Sequence, residues 1–379
     1  MAQLVFVHGV ATRDTPEYLA AIANRDALFR ELLFTGHDVE VHSPMWGQFV
    51  PAINQKVFDT DRGVTTYSVN VGDKTGLGGG LSGETVGAAE GAVVDVTIGA
   101  IGKQDPVAAL DAICLEIADS AAREQRDLQP KELLAFKKAA ELIADDKAGE
   151  IFAGDASSAS IADLLTADAP AEFGVGSSIV EAVNKVTDYV RNAVSTLGFG
   201  AVRGKLTPTV GLFLGDVFVY LKDGEIRQKI RAEVRGMLIK AHDAAKAGKG
   251  PLVIVGHSMG GVILVDMLAN PGAAQLPVDL SVDALLTVGS QPGFFATLDL
   301  LAHSPPDGSA RRKPDCVRNW FNVFDPIDPL AFRTDIIFKD AEDFAFNSVT
   351  GITEAHSKYF ERPQFYARSR KRLRELKVL

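Results

Sequence analysis

A chain of 379 residues, with 46% hydrophobic and 23% charged side chains, can bury a sizeable core and fits one large α/β domain with an insertion, or two domains. Its net charge of -10 at pH 7 argues against general nucleic-acid binding, which needs a basic face. Its only cysteines, Cys114 and Cys316, lack metal-ligand spacing and read as reduced thiols. No stretch reaches the ~18 uninterrupted apolar residues of a membrane span, so the expectation is a cytoplasmic chain, soluble or peripheral at a membrane.

Gln3 to Val7, apolar from Leu4 onward, predict a buried strand. It is too short for a secretory signal and leads directly into His8-Gly9-Val10. Thr15-Pro16 is a helix start, and the helix should run to about Phe34, before Gly36. Val39 to His42 predict a second strand. Met45, Trp46 and Phe49 follow its carboxyl end, where open α/β sheets place their binding crevices, so Trp46 is a candidate for lining an acyl pocket.

From residue 59 to residue 205 the texture changes. Gly79, Gly83, Gly87, Gly91 and Gly99 recur at spacings that permit close helix approach, as in membrane helix pairs. Glu84, Glu90 and Asp95 weigh against deep insertion, and a loop or close-packed hairpin is the expectation there. Helices are predicted over 107–126 and 131–146, and a third carries the stripe Ile179, Val183, Val186, Val190, Ala193 and Leu197. The whole reads as a Gly-rich, mainly helical cap inserted into a core made of residues 1–58 and 206–379.

An ordered return to the core is expected over Val210 to Leu221, then a long helix from Glu225 to about Lys246. Strands are predicted at Leu252–Val255, Leu285–Val288, Val317–Phe324 and, last, Phe344–Val349, with a polar loop from Ser304 to Pro314. Arg368 to Lys377 predict a basic helix, solvated or docked on anionic lipid.

The chemistry concentrates where the Leu252 strand meets a helix, in Gly256-His257-Ser258-Met259-Gly260. A serine in such a turn is pushed out above the sheet, and the N–H groups opening the next helix point at the same spot. Met259 and, from the first loop, Val10 would supply two backbone N–H donors to an oxyanion there. His8, Gly9 and His257 flank that position and are candidate substrate contacts. A serine hydroxyl needs a histidine to take its proton and a carboxylate to hold that histidine. Of seven histidines, only His356 follows the acidic loop after the strand ending at Phe324, which is the chain order nucleophile, acid, base. Asp325 and Asp328 both stand in that loop, each before a proline, and either could be the acid.

Four stretches carry a resemblance: Gly256 to Asp266, Val288 to Phe295, Asn322 to Arg333 and Ala355 to Phe360. They resemble serine α/β-hydrolases of the lipase group, most nearly intracellular phospholipases of the DDHD type. The resemblance covers roughly the last third of the chain plus the His-Gly strand, and residues 59–205 have no counterpart in it. It implies an α/β-hydrolase fold with a mostly parallel sheet flanked by helices, and it selects Asp328 with His356 as the catalytic pair. The expected activity is hydrolysis of a carboxyl ester of a lipid or other acyl substrate through an acyl-enzyme, without metal or organic cofactor. A small-ester esterase or thioesterase, and a non-enzymatic membrane- or partner-binding module on the same scaffold, are the alternatives.

Overall fold

Runs such as Leu-Val-Phe-Val and Leu-Val-Ile-Val have no polar face to give to water, so strands built from them must be covered on both sides. In the computed structural model, which describes residues 1–10, 16–51, 98–153, 157–168, 177–195, 213–222, 224–248, 250–301, 311–346 and 352–379, they form one parallel sheet. Its six strands are β1 (Ala2–Val7), β2 (Val39–His42), β3 (Leu252–His257), β4 (Val282–Val288), β5 (Val317–Phe324) and β6 (Ala341–Ala345), in the spatial order β2-β1-β3-β4-β5-β6. All neighbours pair in parallel, with Val5 opposite Ile254, Ile254 opposite Leu285 and Leu285 opposite Trp320. The arrangement is α/β, a parallel sheet flanked by helices.

Alternate side chains divide the core. Leu4, Phe6, Val253, Val255, Leu286, Phe321 and Val323 point to one face. There they pack with the continuation of α1 (Pro16–Leu28) through a π-helical turn at Phe29–Leu33, with α2 (Ile98–Gln104), α3 (Pro106–Arg123), α4 (Pro130–Ala144), α5 (Ser158–Leu165) and α6 (Ser177–Ser195), and with a late helix running Pro363–Glu375. Val5, Val7, Ile254, Leu285 and Trp320 point to the other face. That face is covered by α7 (213–221), α8 (Glu225–Gly248), α9 (Met259–Ala269) and α10 (Pro292–Thr297). The chain closes with α11 (Ile352–Ala355) and the late helix, α12 (Pro363–Glu375).

Local chemistry sets the helix ends. Asp105 accepts a hydrogen bond from the Ala108 N–H at 2.9 Å ahead of Pro106, and Glu132 reaches back to the Gln129 N–H at 2.9 Å ahead of Pro130. The predicted helix over 107–126 ends at Arg123, and that over 131–146 at Ala144. The last strand is Ala341–Ala345 rather than Phe344–Val349; Phe346 still donates its N–H to the Phe324 carbonyl at 2.8 Å, and residues 347–351 lie outside the described set. Residues 213–221 return to the core as a helix.

Part of the expected insertion, including Gly79, Gly83, Gly87, Gly91 and Leu197, lies outside the described residues, as do Thr15 and most of the 304–314 loop. Among the described helices, α3 and α4 pack on α12, α4 also packs on Phe29–Leu33, and α2, α5 and α6 pack on their helical neighbours, so that α2 to α6 share one hydrophobic core with the first face of the sheet. Among the described residues, no helix is long and apolar enough to cross a membrane.

Strand order locates the site. β1 lies one strand in from an edge, with β2 on one side of it and β3 on the other. Loops leaving the carboxyl ends of β1 and β3 therefore part in opposite directions and open a crevice between them. His8-Gly9-Val10 and Ser258 are the residues at that crevice.

Candidate active site

Ser258 stands between β3 and α9 with φ 51° and ψ -127°, a conformation that costs a non-glycine residue roughly 1–3 kcal/mol and persists only where its surroundings enforce it. The surroundings do so on every side. Its N–H donates to the Val288 carbonyl at 3.0 Å, and its carbonyl accepts from the Gly261 N–H at 3.0 Å and from the Ser290 hydroxyl at 2.6 Å. The turn also needs its glycines. A Cβ on Gly256 would lie 2.5 Å from the Gly261 Cα, and one on Gly260 would lie 2.1 Å from the Val7 carbonyl oxygen. Farther along, Asp266 ties α9 to its neighbours by accepting from the Tyr220 hydroxyl at 2.6 Å and pairing with Arg227 at 3.3 Å.

Three side chains distant in sequence meet at this turn. His356 follows α11, and its Nε2 is 2.8 Å from the Ser258 Oγ. Its Nδ1 is 2.8 Å from Asp328 Oδ2. A carboxylate only accepts, so Nδ1 carries the proton and donates to Asp328, which leaves Nε2 to accept from the serine hydroxyl. Asp328 is held in turn. Its Oδ1 accepts from the Leu330 N–H at 2.9 Å, and its Oδ2 also accepts from the Tyr359 hydroxyl at 2.9 Å. The Tyr359 oxygen takes the Asp325 N–H at 2.9 Å, so one buried phenol joins both ends of the acidic loop. Burial and the neighbouring carboxylates push that phenol well above its ordinary value, and it stays a donor.

Asp325, the other candidate acid, turns its Oδ1 back to the Ile327 N–H at 3.0 Å. Its charge acts on the buried Arg362 guanidinium. It is a loop-former.

The remaining candidates divide into those beside the hydroxyl and those that brace it. Gly9 is beside it: a Cβ there would sit 2.8 Å from the Ser258 Cβ and 3.2 Å from His257 Nδ1. Val10 follows it, half-buried, and Met259 opens α9, where helix geometry leaves its N–H without an intrahelical acceptor. His8, Trp46 and His257 are braces. His8 is buried, its Nδ1–H donates to the Gly9 carbonyl at 2.7 Å, and its ring stacks on Trp46 at 4.9 Å. Trp46, expected to line an acyl pocket, is instead fully buried, with its indole N–H donating to the His8 carbonyl at 2.8 Å. His257 donates its Nε2–H to the His356 carbonyl at 2.8 Å and is enclosed by the rings of His356, Tyr359 and Phe360. Burial, together with the nearby His356, pushes it down to about 3, so at neutral pH it is uncharged and carries no proton to or from the serine.

Tyr359 and Ser290 are the positioning residues that pattern-reading missed. Both stand inside motifs already picked out, Ser290 two residues after Val288 and Tyr359 three after His356, and the signal lay in those motifs' polar positions. Among the described residues, no group of three or more His, Cys, Asp or Glu side chains is placed to hold a metal. No family model, curated protein or solved structure shows significant similarity to the chain.

Proposed function

We propose that this chain is a serine hydrolase of the α/β-hydrolase type that cleaves carboxyl esters of lipid or other acyl substrates. The observation that carries the reading is the unbroken relay from Ser258 Oγ through His356 to Asp328, with both contacts at 2.8 Å. In it, the Ser258 oxygen attacks the ester carbonyl as His356 Nε2 takes the hydroxyl proton. Asp328 stabilises the imidazolium and fixes its orientation. Negative charge gathering on the carbonyl oxygen is met by the N–H of Met259 and, from the opposite loop, of Val10, each such donor contributing ~3–4 kcal/mol to lowering the barrier. His356 then returns the proton to the departing alkoxide. Water, activated by the same imidazole, attacks the acyl-serine carbonyl, releases the carboxylic acid and restores the hydroxyl.

Apolar side chains exposed on the acidic loop and beside it support an acyl substrate. Ile327, next to Asp328, is 42% exposed, and Phe332 is 36% exposed and stacked on the 43%-exposed Phe294 at 4.9 Å.

The test is hydrolysis of p-nitrophenyl esters of increasing chain length, together with labelling by a fluorophosphonate. Wild type should turn over the esters, prefer longer chains and carry the label on Ser258 by peptide mass spectrometry. Ser258→Ala and His356→Ala should each lose at least ~10³-fold in kcat. Full activity in Ser258→Ala, or labelling at another serine, overturns the assignment; a preference for acetyl esters would move the substrate to small esters.

A further inference from the structure

Away from Ser258, between the first face of β4, β5 and β6 and the helix α12, lies a cavity of about 260 Å³. Its inner wall is apolar and deeply buried: Leu286 from β4, Phe321 and Val323 from β5, Phe346 just beyond β6, and Phe365 from the first turns of α12. Its outer rim is polar and lies on α12, where Arg368 and Lys371 are both exposed and sit one helical turn apart. Arg372 also lines it but is occupied, paired with Glu342 and Glu375 and lying over the Phe344 ring at 4.8 Å. Among the described residues, neither Arg368 nor Lys371 has an ion-pair partner.

Two cations at the mouth of a phenylalanine-lined cleft favour a ligand with one anionic end and one apolar body. Size narrows the class. Ligand sites commonly span ~300–1,000 Å³, and this cavity falls just below that range, so it suits one slender chain and not a diacyl lipid. Its concave, inward-reaching shape suits a single molecule better than a flat membrane surface.

We infer that this cavity binds a fatty acid, with its chain among Phe321, Phe344, Phe346 and Phe365 and its carboxylate held by Arg368 and Lys371. The site is separate from the hydroxyl at Ser258 and does not depend on the chain's being a hydrolase. It is nevertheless next to the acid's support, because the Phe346 ring on its wall lies 5.5 Å from that of Tyr359.

The experiment is calorimetric titration of the full chain with dodecanoate below its micelle concentration, with dodecanol as the neutral control. Dodecanoate should bind saturably at one site in wild type and in Ser258→Ala, and dodecanol should bind at least tenfold more weakly. Arg368→Gln with Lys371→Gln, both exposed on a helix, should weaken dodecanoate at least tenfold, about 1.4 kcal/mol, without affecting dodecanol. Glu375→Gln removes the rim's own carboxylate and should tighten binding. Val323→Phe, which fills the cavity, should abolish it. No saturable binding, or dodecanoate affinity unchanged in the Arg368/Lys371 double variant, overturns the inference. Loss of esterase activity with dodecanoate binding intact would refute the hydrolase reading alone.

Discussion

Tyr359→Phe isolates the support of the acid from the acid itself. The substitution deletes one oxygen atom from a fully buried ring and leaves the packing against Phe346 and His257 in place. Two hydrogen bonds go with it, the one to Asp328 Oδ2 and the one from the Asp325 N–H, each 2.9 Å long. A hydrogen bond to a charged acceptor is worth ~1.5–3 kcal/mol, and a buried N–H left without an acceptor costs a further ~1–3 kcal/mol. The expected loss of stability is therefore ~3–5 kcal/mol, read by urea denaturation. The catalytic effect is smaller and has a direction. Asp328 keeps the Leu330 N–H and the imidazole, so the relay survives, but the carboxylate loses a contact that orients it, which slows the reaction, and one donor fewer shares its charge, which holds the imidazolium more strongly. In p-nitrophenyl ester hydrolysis, kcat should fall ~10-fold with KM little changed, and the acidic limb of the pH–rate profile should move to higher pH. Tyr366→Phe is the control, because that equally buried phenol donates at 2.7 Å to the neutral carbonyl of Phe360. It should cost ~0.5–1.5 kcal/mol and leave the profile where it was. Identical pH profiles for the two variants, or an unchanged stability in Tyr359→Phe, would refute the reasoning.

Asp328→Asn should lower kcat by ~10⁴-fold by disrupting the tautomer at His356, whereas Asp325→Asn should keep activity within tenfold yet destabilise the fold by ~3 kcal/mol, because it strips a buried countercharge from Arg362. Gly9→Ala places a methyl 2.8 Å from the Ser258 Cβ, closer than such atoms pack, and should cost ~10²-fold in kcat/KM through displacement of the nucleophile, with far-ultraviolet circular dichroism unchanged. Burial pushes the Asp111 carboxyl up to about 6, against the pull of Arg362 and Gln364. Its folded value lies above its unfolded one, so the stability it contributes is complete below ~pH 4 and is lost as pH rises through about 6. Relative to wild type, Asp111→Asn should therefore gain ~3 kcal/mol between pH 4 and 7.5 in urea titrations; a pH-independent difference would show that Asp111 titrates normally.

The inner strands were legible because parallel strands buried on both faces carry apolar runs, Leu4–Val7 in β1, Leu252–Val255 in β3 and Ala284–Leu286 in β4, while β5 keeps Trp320-Phe321 and Val323-Phe324 around Asn322. β6 was misplaced because it is an edge strand, Ala-Glu-Asp-Phe-Ala, whose outer positions tolerate charge and carry no apolar run to read. The serine turn and the order of its partners could be read from local pattern. The choice between Asp325 and Asp328 could not, since both precede a proline and both are buried; only the direction of their oxygens, set by Tyr359 and His356 from a later segment, distinguishes them. Trp46 and His257 look like pocket residues in sequence. The burial of Trp46 under His8 and the enclosure of His257 by the 356–360 segment come from residues that no window around them contains.

The same contacts give the helical segment after residue 98 a second task. His356 must be held against a serine on another element, and the stretch that carries it is only a short turn between α11 and α12. α3 grips that stretch at two places on one face. Asp119 pairs with Lys358, which also pairs with Glu361 at 2.7 Å, and Asp111, eight residues earlier, accepts from the Gln364 N–H at 3.2 Å and from its side-chain amide at 2.7 Å. Between these clamps the buried Arg362 feels both Asp111 from α3 and Asp325 from the acidic loop. Charge that costs this much to desolvate is a poor way to gain stability but an effective way to fix one geometry, because a shifted arm would leave several buried charges without partners. The helix thus acts on the imidazole through the backbone that bears it, and loosening Asp119 or Asp111 should spread His356 over several positions before it unfolds anything.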